Sequence, residues 1–139
     1  MTKQMKEDAV LFQKAVGILH KYWGKEGEDR FGKMQVEIDR ELQFLIGKPI
    51  HELRACISKY FTALSLDSDK INKWLDRRQK NPFGTNIHLE ENELADSLLA
   101  EFALFKLAIA LHNSGISHGD VTELVTATFI ARRPQYRNL

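Results

Sequence analysis

Cysteine is almost missing from this sequence. Cys56 stands alone, so no disulfide can staple the fold within one chain, and a reducing compartment is expected. The thiol reads as a small hydrophobe beside a helix stripe rather than as a nucleophile. With only three prolines and eight glycines, helix-ending signals fall at few, legible places. An excess of one charge is lacking too: 20 Lys and Arg against 19 Asp and Glu leave a formal net charge of +1. That removes any global pull toward nucleic acid or an anionic membrane, and leaves such binding to local patches. No run approaches the roughly 18 to 20 uncharged apolar residues that a bilayer span requires. The opening MTKQMKEDAVLF shows no apolar signal core before Glu7 and Asp8, so a cytoplasmic protein without membrane attachment is expected. Glycine-rich phosphate loops, nucleophile elbows, internal repeats and low-complexity segments are all missing, and no cofactor is expected.

What the chain does have is helical periodicity, strongest in Leu94 to His112, LADSLLAEFALFKLAIALH. Leu94, Leu98, Phe102, Phe105, Ile109 and His112 recur at spacings of four and three, and Leu99, Ala103, Leu107, Ala108 and Leu111 widen the stripe over most of the circumference. Such a helix is buried on more than one side and needs neighbours to cover it. Glu90, Glu91 and Glu93 suit its positive end, and Gly115 its stop.

Met5, Ala9, Phe12, Val16, Leu19 and Trp23 form a similar seam on a first helix, with Thr2 as N-cap and Gly24 as stop. The polar KEGEDRFG, Lys25 to Gly32, reads as a loop. A second helix is expected from Gly32 to Ile46 with Met34, Ile38, Leu42 and Leu45 inward, closed by Gly47. A third, from Pro49 to Leu64, would bury Ile50, Leu53, Ile57, Tyr60 or Phe61, and Leu64. The fourth runs from Ser68 to Gln79 on an apolar edge of Ile71, Trp74 and Leu75, and Pro82 with Gly84 ends it. A strand at Asn86 to Leu89 would find nothing to pair with. Ser117 with Asp120 resembles a capping box opening a last helix that reaches Ala131. The 139 residues, 43% hydrophobic, thus predict an all-α, single-domain bundle of five or six helices around a central buried helix at about 94–113. Residues 1–131 form that domain, and 132–139 a basic tail expected to stay solvated.

Three surfaces compete for function. The first-helix seam, Phe12, Val16, Leu19 and Trp23, would serve a protein partner or a second copy as well as an internal core, so a non-enzymatic interaction or regulatory module, and a homo-oligomer, is the leading expectation. The alternative is a nucleic-acid-binding regulator that uses the basic fourth helix, Lys70, Lys73, Arg77, Arg78 and Lys80, with Arg132, Arg133 and Arg137 as a clamp on phosphates. The helix pair around Gly115 has helix-turn-helix spacing, but its second helix would offer His118, Gly119, Thr122, Glu123 and Thr126, none of which reads a guanine or adenine bidentately. The five histidines, His20, His51, His88, His112 and His118, lack the spacing of metal-binding helices. His112 and His118 could approach across the turn with Glu101 and Asp120 as acidic companions, but no metal site is expected.

Overall fold

The computed structural model describes residues 2–81, 89–133 and 136. It is all-α: α1 is Lys3–Trp23, α2 Gly27–Leu42, α3 Ile50–Ala63, α4 Ser68–Lys80, α5 Glu91–Asn113 and α6 His118–Ala131, and one-turn 3-10 segments at Gly24–Glu26 and Gln43–Leu45 follow α1 and α2. Among the described residues no strand occurs, and no helix is long and apolar enough to cross a membrane.

The breaker positions act as their chemistry requires. Gly24, Gly47 and Gly115 take φ of +70°, +81° and +88°, the left-handed region where a side chain would clash. Thr2 Oγ1 accepts from Met5 N, and Ser117 Oγ from Asp120 N, capping α1 and α6. Two expectations change. The stretch expected as a loop is a 3-10 turn followed by helix, because α2 starts at Gly27. A Cβ on Gly27 would lie 2.7 Å from the Leu19 carbonyl oxygen, so this glycine serves close helix approach rather than flexibility. The second helix also ends early, at Leu42, and tightens into the 3-10 turn before Gly47. Pro82 and Gly84, with all but Leu89 of the strand considered at Asn86 to Leu89, lie outside the described residues.

The chain divides into two compact units. Unit 1, Met1–Arg40 with Leu104–Leu139, packs α1 along α6. Its buried side chains include Ile18, Leu19, Ile38, Leu107, Leu111, Ile116, Val121 and Leu124. Polar contacts across long sequence separations align these elements: Lys14 Nζ meets Glu123 Oε1 at 2.8 Å, and Tyr22 donates to Asp120 Oδ2 at 2.8 Å. Unit 2, Glu41–Ala103, centres on Phe61, whose ring meets Trp74 and Phe102 edge-on at 5.4 and 5.8 Å. Leu53, Ile57, Ile71, Leu75 and Leu98 are buried in the same unit. Leu64, expected inside, is exposed. Helix α5 gives its first part to unit 2 and the rest, from Leu104, to unit 1. From Leu94 to Leu111 only Asp96 and Ala100 are exposed, in keeping with an apolar stripe spread over most of the circumference.

One turn geometry occurs twice. In each unit a helix ends with a residue of positive φ, Ser65 at +63° and Gly115 at +88°. The next amide reaches back five residues, Leu66 N to Phe61 O at 3.2 Å and Ile116 N to Leu111 O at 3.3 Å, the Schellman arrangement. The following residue, Asp67 or Ser117, then caps the next helix with its side chain. The hairpins α3–α4 and α5–α6 therefore correspond position by position at a constant offset of 50 residues, although their sequences carry no repeat.

Candidate functional site

The four residues of the first-helix seam do not form one open face. Leu19 is only 4% exposed, which corrects its expected place on a docking surface: it belongs to the core of unit 1. Phe12 packs edge-on against Tyr136 at 5.6 Å, and Arg30 covers the Trp23 ring at 4.5 Å. Val16 is half-buried. The buried residues of α1 are Asp8, Ala15, Ile18 and Leu19, so the covered side of the helix is rotated from the expected seam, and Asp8 lies inside.

Asp8 is 2% exposed, and a buried carboxylate is costly unless hydrogen-bonded. Tyr136 donates to its Oδ2 and Gln4 to its Oδ1. The Tyr136 bond, supported by Gln4, holds the Asp8 carboxyl below its ordinary range, and the same bond pushes the Tyr136 phenol up. Nearby, Arg132 lies 3.4 Å from Asp39, and the Arg133 guanidinium sits 5.0 Å from the Phe129 ring centre. The described part of the expected tail is thus tied back onto unit 1. Arg137 lies outside the described residues.

The basic fourth helix is divided in its duties. Arg78 is engaged inside unit 2, 3.5 Å from Glu101 and over the Trp74 ring. Lys70, Lys73, Arg77 and Lys80 are exposed, and their spacing of three, four and three sets them along one side of α4. Arg54 meets Asp76 Oδ1 at 2.7 Å and Gln79 at 2.6 Å, so one acid of α4 is paired with α3. Arg132 and Arg133, expected to act with the basic stripe, belong to unit 1, and α4 to unit 2.

A further site, missed in the sequence, is the groove between the last part of α5 and α6. It has a volume of 360 Å³, with Phe105, Ile109, Val121 and Val125 on its apolar walls and His112 and His118 among its lining. Phe105, Ile109 and His112 carry the expected stripe of α5, yet in this half of the helix the buried positions are Leu107 and Leu111 instead. Glu101 and Asp120, considered with the two histidines, are engaged elsewhere: Glu101 with Arg78, Asp120 with Tyr22, Lys21 and Ser117. The Tyr22 hydrogen bond is the main cause holding the Asp120 carboxyl below its ordinary range. Among the described residues no group of three or more His, Cys, Asp or Glu is placed to hold a metal ion. Residues expected to face a DNA groove, His118, Thr122 and Thr126, line this groove, while Glu123 pairs with Lys14.

No protein-family model, curated protein or solved structure matches this chain. Its chemistry is read from its own surfaces.

Proposed function

We propose that the protein is a non-enzymatic interaction or regulatory module that binds a protein partner, or its own copy, through apolar side chains held at the surface. The observation that carries this reading is the turn after α2. Phe44 and Ile46 are 68% and 67% exposed, while Leu45 between them is buried. The turn is closed by Ile46 N to Gln43 O and Lys48 N to Leu45 O, both at 3.2 Å. A buried anchor flanked by two outward apolar side chains is a rigid presentation, and covering each is worth about 1.5–3 kcal/mol. The face differs from the first-helix seam, whose members are largely engaged within unit 1.

The test is light-scattering mass across a concentration series at low and moderate salt. A dimer insensitive to salt and lost in Phe44→Glu is the expected result for self-association, because apolar docking is little screened. A chain that stays monomeric throughout removes that arm. A captured protein partner that binds Phe44→Ser and Ile46→Ser as tightly as the unmodified chain removes the face itself.

The stripe Lys70, Lys73, Arg77 and Lys80 favours a second reading, attachment to a nucleic-acid backbone. Phosphate contacts release counterions, so such binding would fall steeply with added salt and with Arg77→Glu. Binding that ignores both would sink it.

A further inference from the structure

The two hairpins share a turn, so each is a control for the other. Positions matching Phe105, Ile109 and His112 in α3–α4 are Ala55, Lys59 and Thr62, and those matching His118, Thr122 and Thr126 are Ser68, Asn72 and Asp76, all six exposed. Where α5 carries the half-buried Phe105 and Ile109, α3 carries the exposed Ala55 and Lys59, so the shared turn does not require apolar walls on that side of the hairpin. In α5–α6 they are present, on residues used neither by the Phe44 face nor by the α4 stripe.

The polarity of that groove is one-sided. Thr122 Oγ1 donates to His118 O at 3.0 Å and Thr126 Oγ1 to Thr122 O at 2.8 Å, so these rim hydroxyls spend their protons on the helix. The acids of α6 are held by α1: Asp120 by Tyr22 and Lys21, Glu123 by Lys14. None of the lining residues is an acid. The carbonyls at the end of α5 are taken by Ser114, Gly115 and Ile116 amides, which blunts its negative pole. What remains at the turn end is two imidazoles, His112 and His118, beside the opening turn of α6. Gly119 there leaves open space where a side chain would stand. An imidazole offers a ring N–H in either protonation state, and a helix start favours negative charge.

We infer that the α5–α6 groove is a binding site for a small apolar carboxylate. Its head lies between His112 and His118, and its hydrocarbon body lies along Phe105, Ile109, Val121 and Val125. The two ring N–H donors and the opening turn of α6 select the head, and the walls select the body. The volume, 360 Å³, sits at the small end of ligand pockets, roughly 300–1,000 Å³, which suits a short amphiphile.

The full chain would be titrated calorimetrically with octanoate, octan-1-ol and octylammonium, and the imidazole resonances of His112 and His118 followed with octanoate. Octanoate is expected to bind and to move both resonances, with octan-1-ol about tenfold weaker and octylammonium weaker still, as loss of a charge-assisted hydrogen bond implies. His112→Ala with His118→Ala should weaken octanoate about tenfold and leave octan-1-ol unchanged. Thr126→Trp, at an exposed rim position, should fill the groove and abolish both, while Phe44→Ser should change neither. Equal binding of octanoate and octan-1-ol, indifference to Thr126→Trp, or unmoved imidazole resonances at saturating octanoate overturns the assignment. The resonance titration decides on the unmodified chain even where a variant does not fold.

Discussion

The hairpins α3–α4 and α5–α6 turn the corner alike and then part ways. After the shared cap, Ile116 is buried whereas Leu66 is exposed. The positions at the heart of each hairpin are Phe61 and Leu111, both buried. Around Phe61, Trp74 and Phe102 pack edge-on and Tyr60 lies tilted against the ring. Unit 1 leans instead on polar contacts between sequence-distant groups, with 128 residues separating Asp8 from Tyr136 and 98 separating Tyr22 from Asp120. A contiguous unit can find its packing locally. One assembled from distant segments has to close long loops, and directional hydrogen bonds then help to select the register.

The largest effects should come from the paired core positions. Phe61→Ala is expected to cost about 3–5 kcal/mol and Leu111→Ala about 2–5 kcal/mol in denaturant unfolding. Each unit holds one of the two tryptophans, Trp23 in unit 1 and Trp74 in unit 2. Single-tryptophan variants therefore show whether each loss is felt in its own unit or throughout. Identical transitions at both probes would erase the distinction between units.

Gly27→Ala comes next, at about 1–3 kcal/mol, because the new methyl group must displace the Leu19 backbone. A neutral result in thermal unfolding would mean that α2 opens without that close approach.

The two caps give a smaller, reciprocal effect. Gly115→Ala should destabilise by about 1–2 kcal/mol, and Ser65→Gly should stabilise by about 1 kcal/mol, since only glycine occupies the left-handed region freely. Equal responses of the same sign would show that the turns are not equivalent.

Last comes an effect that only a pH profile resolves. The Asp8 carboxyl is lowered from 3.8 mainly by the Tyr136 bond. Its contribution to stability is therefore present above that value and lost as pH falls through the lower, folded one. At the alkaline end Tyr136, raised from 10.0, keeps its contribution below that value and loses it as pH rises through the folded one. Tyr136→Phe should flatten both limbs at the Trp23 probe and leave the Trp74 probe unmoved. Unchanged limbs would remove the Asp8 bond from the stability of unit 1.

Much of the fold was legible because its signals are local. Gly24, Gly47 and Gly115 stop or turn the chain by steric permission, and Thr2 and Ser117 cap by reach of one side chain. Gly27 was not legible, since its polar neighbours read as loop and its reason is the Leu19 backbone across the helix interface. The burial of Asp8 had no local signal, because its partner is Tyr136, far along the chain. The expected seam on α1 and the stripe on α5 were both drawn from spacing alone, and spacing cannot say which of two adjacent faces another helix will cover. Phe105, Ile109 and His112 line the groove instead of core for that reason.

By itself the sequence determined the helical class, the turns at Gly24, Gly47 and Gly115 and the apolar character of α5, because each follows from backbone sterics and periodicity within a few residues. Only the tertiary structure decided which apolar side chains are covered, which acids meet Tyr22, Lys14 and Tyr136, and that two unlike hairpins share one turn. Those outcomes depend on contacts between residues far apart in the chain, whose free energy no local pattern carries.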